Sequence, residues 1–74
     1  MVTALNLRTI LLSGGNVIVN SMSFSALELR SLALAAKTGG GTLLIKNATD
    51  KNSLECRSIA LAGGKGVVTF DFTN

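Results

Sequence analysis

The sequence predicts a small α/β domain in which three helix–strand units form a parallel sheet of three strands, with the helices on one face. Three observations predict this fold. Three eight-residue blocks align without gaps, a glycine cluster follows each block, and a short β-rich run follows each cluster. Sequential strands joined through helices are parallel, with right-handed crossovers. A length of 74 residues leaves room for this one domain, residues 1–74, and for no second one.

The three blocks are an internal repeat. They share the pattern Leu-[Asn/Glu]-[Leu/Cys]-Arg-[Thr/Ser]-[Ile/Leu]-[Leu/Ala]-Leu and cover residues 5–12, 27–34 and 54–61. The intervals between blocks differ, so insertions must fall in the connections. We expect repeat units over approximately residues 3–20, 25–47 and 52–72, because self-similarity at such periods is typical of repeat proteins.

Each predicted helix has its own start signal. Thr3, Ser25 and Asn52 are good N-cap residues, and each precedes a polar residue three positions later. The pairs Ser25–Glu28 and Asn52–Glu55 are typical of capping boxes. Val2 with Leu7 and Phe24 with Leu29 are spaced as hydrophobic staples, whereas Lys51 breaks that feature in the third unit. These signals predict helices over residues 4–13, 25–37 and 53–62.

Glycines mark the predicted helix ends. All eight lie between a predicted helix and the following strand, where a left-handed C-cap residue is needed: Gly14, Gly15, Gly39, Gly40, Gly41, Gly63, Gly64 and Gly66. We therefore expect valine at Gly14 or Gly63 to destabilise the fold, since a β-branched residue resists positive φ.

The predicted strands lie in residues 16–20, 42–47 and 67–72 and alternate between two faces. One face holds Val17, Val19, Leu43, Ile45, Val68, Phe70 and Phe72, and the other holds Ile18, Leu44 and Thr69. This solenoid-like, two-layer layout resembles the helix-and-strand repeats of leucine-rich-repeat solenoids, and Leu43-x-Ile45-x-Asn47 approximates their strand signature. The resemblance is architectural and carries no binding residue over to this chain.

Composition bounds the class of protein. A hydrophobic fraction of 47% with 15% charged residues is too apolar for a disordered tail. The longest apolar runs, residues 10–12 and 32–36, are far shorter than the roughly 20 residues of a membrane span. No secretory signal is visible, and the single Cys56 cannot form an intramolecular disulfide, so we expect a cytoplasmic protein without a membrane partner.

Residues able to perform catalysis are sparse. The chain has no histidine, and its four acids, Glu28, Asp50, Glu55 and Asp71, are scattered. Cys56 takes an apolar position of the repeat, which favours a buried thiol over a reactive nucleophile. Residues 63–66, Gly-Gly-Lys-Gly, run from helix into strand, the reverse of a phosphate-binding loop, which favours a helix C-cap. We expect no enzyme activity, cofactor or metal.

Arg8, Arg30 and Arg57 occupy one repeat position and would form a row across stacked units. Such a row could bind phosphates or carboxylates, or it could be a solvated stripe whose aliphatic stems cover apolar neighbours. The net charge of +3 suits an acidic partner, but Trp and Tyr are absent and three Phe leave few platforms for nucleobases. A nucleic-acid-binding domain is therefore the alternative function and not the favoured one.

A second apolar row favours a protein–protein interaction or self-assembly module. At about 100° per residue, a first apolar stripe on each helix can cover the sheet: Leu7, Ile10, Leu11, Leu29, Leu32, Ala33, Cys56, Ile59 and Ala60. The second row consists of leucines seven residues apart in every unit, nearly opposite that stripe: Leu5, Leu12, Leu27, Leu34, Leu54 and Leu61. One sheet cannot bury both rows, and the far face of the sheet adds Ile18 and Leu44. We therefore predict a homo-oligomer or a protein partner that covers these residues.

Overall fold

A computed structural model describes residues 3–73. Three helices alternate with three strands: α1 (Ala4–Leu12), β1 (Val17–Asn20), α2 (Ala26–Gly39), β2 (Leu43–Lys46), α3 (Ser53–Gly63) and β3 (Val68–Phe70). Short 3-10 turns, Ser21–Ser23 and Ala48–Asp50, follow β1 and β2. The order of elements is the predicted one, and the boundaries lie within one or two residues of the expected ones.

The strands form one parallel sheet in the order β1-β2-β3. Val17 pairs with Leu43, and Leu43 pairs with Val68, so the strands start level with one another. Helix α2 packs between α1 and α3, and each helix contacts the strand that follows it. The predicted α/β class with a small parallel sheet is therefore confirmed.

The helices cover a single face of the sheet. Val19, Leu43 and Ile45 point to the helices and are buried, whereas Ile18 on the opposite face is exposed. Leu44, also on the opposite face, is half-buried because it lies on the central strand. Alternation along the strands thus separates a core face from an uncovered face.

The start of each helix is held by the cap that its sequence predicts. Thr3 accepts a hydrogen bond from the amide of Asn6 at 3.2 Å. Complete capping boxes join Ser25 with Glu28 and Asn52 with Glu55. The predicted contact of Val2 with Leu7 lies outside the described residues. Satisfied N-terminal amides explain why helices of nine to fourteen residues begin where they do.

The helix ends differ in one respect from the expectation. Gly14 has a φ of 91°, as predicted for a left-handed residue, but Gly63 lies inside the last turn of α3 and the positive φ belongs to Gly64. A side chain at Gly63 would instead meet Cγ2 of Val68 at 2.6 Å. The reason expected for the sensitivity of Gly63, its φ, was wrong, because this position is constrained by packing against β3.

Gly39 allows the ends of α1 and α2 to approach closely. A β-carbon at Gly39 would overlap the backbone carbonyl oxygen of Leu11 and crowd the carbonyl of Leu12. These are backbone atoms, so they cannot move aside by changing a rotamer. The last turn of α2 therefore lies against the last turn of α1 without an intervening side chain.

The core is built mainly from α2. This helix contributes five buried side chains: Leu29, Leu32, Ala33, Ala35 and Ala36. α1 contributes Leu11, and α3 contributes Ile59 as its buried side chain. The predicted apolar stripe is correct for α2, but in the outer helices Ile10 is exposed and Cys56 is half-buried. The difference arises because α1 and α3 each have a neighbouring helix on one side only.

Candidate interaction surface

The six leucines of the second row lie on the outer surface of the helix layer. Their exposed fractions range from 42% at Leu12 to 73% at Leu27. They are named here the leucine surface: Leu5, Leu12, Leu27, Leu34, Leu54 and Leu61. Because α1, α2 and α3 pack side by side, these side chains form two apolar bands that cross all three helices. Lateral contacts between the helices do not bury them.

The three arginines, named here the arginine row, are also exposed on this layer: Arg8, Arg30 and Arg57. Each arginine is three residues after one leucine of the leucine surface and four before the next. This spacing places the arginine and its two leucines on the same face of their helix. The surface therefore carries a cationic band between two apolar bands. Since each arginine lies between two of these leucines, a partner that covers the leucine surface also covers the arginine row.

Shallow grooves between α2 and α3 join the two kinds of residue. One of about 350 Å³ is lined by Leu27, Arg30, Ser31 and Leu34 together with Ala62 of α3. A second groove of about 310 Å³ continues from Arg30 to Glu55 and Ser58. Glu55 is thus an acid near the arginine row, although its carboxylate already accepts from the amide of Asn52 at 2.9 Å.

A larger groove, of which the sequence indicated only Ile18, lies beside the edge strand β1. Its volume is about 610 Å³, and its apolar lining includes Leu7, Val19 and Phe24. Ile18, exposed by 66%, lies at the same place, whereas the predicted companion Leu44 is half-buried and away from it. Four segments of the chain form this groove, so no local sequence pattern could have indicated it.

A polar cluster ties together the turns that follow β1 and β2. The hydroxyl of Ser21 donates to Oδ1 of Asp50 at 2.5 Å. Nζ of Lys51 donates to the carbonyl oxygen of Ser21 at 2.9 Å and lies 2.5 Å from Oδ2 of Asp50. The Lys51 side chain is only 9% exposed. Every polar group of the cluster has a partner, so its role is structural.

The charge of Asp50 is stabilised by this cluster. Its hydrogen bonds, first with Lys51 and then with Ser21, hold the pKa of Asp50 below its ordinary value. The ammonium of Lys51 is paired twice, as a nearly buried charge requires. The sequence offered one weak signal, since Lys51 interrupts the staple position of the third unit with a charge that needs a partner.

Cys56 is a half-buried free thiol on α3. Burial, followed by the negative charges of Glu55 and Asp50, raises the pKa of the thiol above its ordinary value. A raised pKa lowers the thiolate fraction, and the thiolate is the nucleophilic form. The reactive form of Cys56 is therefore disfavoured, although the thiol is half-buried and not buried as its repeat position predicts.

Other sites weighed from the sequence are placed as follows. The loop of residues 63–66 joins the carboxyl end of α3 to β3, so it offers an anion no helix N-terminus. Within residues 3–73, no three His, Cys, Asp or Glu side chains are grouped so that they could hold a metal ion. No helix in the same range has the length and apolar character to cross a bilayer.

Comparison of the chain with protein-family models, with curated protein sequences and with solved structures finds no match.

Proposed function

We propose that the chain is a non-enzymatic, solenoid-like repeat module for protein–protein interaction or self-assembly, with the leucine surface as its contact area. The supporting observation is that all six leucines are at least 42% exposed on three adjacent helices. Scattered exposed leucines are ordinary on a monomer, whereas exposed apolar residues aligned across adjacent helices and bordered by charged side chains are typical of an interaction site. Extended surfaces of this kind are what repeat proteins use to bind partners.

Energetics favour coverage of this surface. Full burial of an exposed leucine side chain contributes about 2 kcal/mol, and these six are 42–73% exposed, so covering all of them contributes several kcal/mol toward the roughly 4–15 kcal/mol that association costs in lost translational and rotational freedom. A chain of 74 residues has a small core, and association would add apolar burial that the monomer lacks.

The test replaces one central leucine with a charge. Leu34→Glu places a carboxylate in the middle of the surface, and we expect it to weaken association at least about tenfold in light scattering and sedimentation. Thr49→Glu is the control, because Thr49 is exposed on the turn after β2, so the variant adds the same charge outside the three helices. A wild type that remains monomeric and captures no partner through these leucines would contradict the proposal, as would equal effects of both variants.

The alternative is a nucleic-acid-binding domain that uses Arg8, Arg30 and Arg57. The exposure of all three side chains on one layer keeps this alternative open. Salt dependence distinguishes it from association through leucines.

A further inference from the structure

The two ends of the solenoid-like arrangement, which is part of the proposed function, leave apolar positions uncovered. The β1 end is the flank formed by α1 and β1, and the β3 end is the flank formed by α3 and β3. Leu32 of α2 is 1% exposed, whereas Ile10, its equivalent in the repeat, is 47% exposed. Leu32 lies seven residues before Gly39, on the side of α2 that packs against α1. Ile10 has no described helix on the corresponding side.

The β3 end shows the same contrast in the opposite direction. Leu29 and Ala33 of α2 are fully buried, whereas their equivalents in α3, Cys56 and Ala60, are half-buried. Helix α3 covers one side of α2, but within residues 3–73 no helix covers the corresponding side of α3. At both ends, the residues equivalent to those that form helix–helix contacts in α2 are therefore left without a further unit to cover them.

The backbone edges are open at the same two ends. In a parallel pair, alternate residues direct both backbone groups to the same neighbour. The amide of Val17 donates to the carbonyl of Thr42, so the groups of Ile18 point away from β2. The amide of Leu43 donates to the carbonyl of Val67, so Val68 and Phe70 point away from β2 at the other edge. Such edges are templates for a further strand.

The internal register extends across these edges without a shift. Val17 is level with Leu43, and Leu43 is level with Val68. A strand β1 from a second copy, added parallel to β3 in the same register, sets its Val17 beside Val68 and its Val19 beside Phe70. The two edges are thus complementary to each other.

The side chains at the two ends are complementary as well. At the β3 end, Phe70 and Phe72 stack with ring centroids 6.1 Å apart, and Phe72 is 54% exposed. At the β1 end lies the groove of about 610 Å³ beside Val19 and Phe24. In the extended register, Phe72 of one copy follows Phe70 toward the part of the groove where β1 of the next copy ends.

We propose that the chain binds a second copy of itself end to end, with the β3 end of one copy seated on the β1 end of the next. The contact is heterologous, so each added copy presents a new free end. Association of this kind gives an open series of species instead of a closed dimer. It uses a surface separate from the leucine surface.

The test blocks one end at a time in a Leu34→Glu background, which removes association through the leucine surface. Ile18→Pro and Val68→Pro each delete an amide that points out of the sheet, and proline is tolerated on such edges. We expect the parent to show a concentration-dependent series in sedimentation velocity and each proline variant alone to be monomeric. An equal mixture should form a dimer of about twice the monomer mass, because each variant keeps the end that the other lacks.

Several outcomes would overturn the proposal. A monomeric parent would do so, and so would a mixture of folded variants that stays monomeric, or a single variant that assembles like the parent. Ile18→Thr, which keeps the amide, is the control and should preserve the series. If circular dichroism shows that the proline variants are unfolded, Ile10→Lys and Phe72→Lys block the same ends at exposed side chains.

The two proposals fail independently. If Leu34→Glu dissociates the wild type but the mixture stays monomeric, the leucine surface stands and the end-to-end contact is wrong. If the mixture dimerises while Leu34→Glu leaves the wild-type mass unchanged, the reverse holds.

Discussion

Ser21, Asp50 and Lys51 show how three side chains fix the relation between two turns that are far apart in sequence. Asp50 and Lys51 are adjacent, and Ser21 comes from the turn after β1. A sequence pattern places Asp50 in a loop and Lys51 at an interrupted staple, but it does not reveal that both face a buried serine. The pairing depends on the parallel register of β1 and β2, which brings the two turns side by side.

Replacing Asp50 with asparagine should destabilise the fold by about 1–2 kcal/mol. The substitution removes the ion pair with Lys51, whose side chain is only 9% exposed, and hydrogen bonds to charged groups contribute about 1.5–3 kcal/mol when buried. We expect a loss toward or slightly below the lower end of that range, because the side chain of Asp50 is 31% exposed and solvent screens its charge. Urea unfolding at neutral pH measures the loss. Asp71→Asn is the control, since within residues 3–73 the side chain of Asp71 bonds only to the nearby Thr73.

The same carboxylate should make stability depend on acid. Its folded pKa is below the unfolded one, so its contribution is fully present above the unfolded value of about 3.9. The contribution is lost as the pH falls through the folded value. We expect the stability gap between wild type and Asp50→Asn to narrow on acidification below about pH 4. A gap that stays constant in urea titrations carried well below pH 4 would show that the charge of Asp50 does not stabilise the fold.

At the scale of the element, the starts of the helices could be predicted and the ends only in part. Capping is local, because Ser25 and Glu28 or Asn52 and Glu55 satisfy the backbone of the same turn. The roles of individual glycines depend on what packs against them. Gly63 faces Val68 of another element, and this contact arises only once the chain has folded.

Gly39→Ala should destabilise the fold by about 1–2 kcal/mol although alanine is the better helix former. Helix propensity favours alanine by about 1 kcal/mol, whereas overpacking costs about 1–3 kcal/mol; the upper part of that range applies because the obstacle is the backbone carbonyl of Leu11. Thermal or urea unfolding gives the sign. Thr38→Ala is the neighbouring control. Within the described residues, the hydroxyl of Thr38 bonds only to the carbonyl oxygen of Leu34 in the same helix. A variant at Gly39 as stable as wild type would mean that α1 and α2 do not approach this closely.

At the scale of the whole molecule, the leucine surface could be predicted because spacings of seven residues are a local property of each helix. The groove beside β1 could not, since Leu7, Val19 and Phe24 come from three segments. The predicted core stripe was right in α2 and incomplete in the outer helices, where Ile10 and Cys56 lack a second neighbour. Position in the layer, which the repeat pattern does not contain, decides which apolar residues are covered.

Salt should separate the leading function from its alternative, because the arginine row lies between the leucine bands. If two copies meet through their leucine surfaces with the arginine rows facing each other, the guanidinium groups repel one another, and each copy carries a net charge of +3. Screening lowers this repulsion, so we expect self-association to be unchanged or strengthened between 50 and 200 mM salt. Nucleic-acid binding through three phosphate contacts would instead weaken about 40-fold over the same range.

The substitution Arg30→Gln should change the strength of self-association and of nucleic-acid binding in opposite directions. Removing one charge from the centre of the arginine row should strengthen association through leucines, since it lowers like-charge repulsion, and should weaken binding to a phosphate backbone. Sedimentation of the variant and fluorescence anisotropy with a labelled DNA duplex or RNA hairpin, each at 50 and 200 mM salt, measure both effects. Lys65→Gln is the matched control, because Lys65 carries the same charge on the loop between α3 and β3, away from the leucines. Salt-sensitive nucleic-acid binding that Arg30→Gln weakens and Lys65→Gln spares, combined with a monomeric wild type, would replace the interaction module with the nucleic-acid-binding domain.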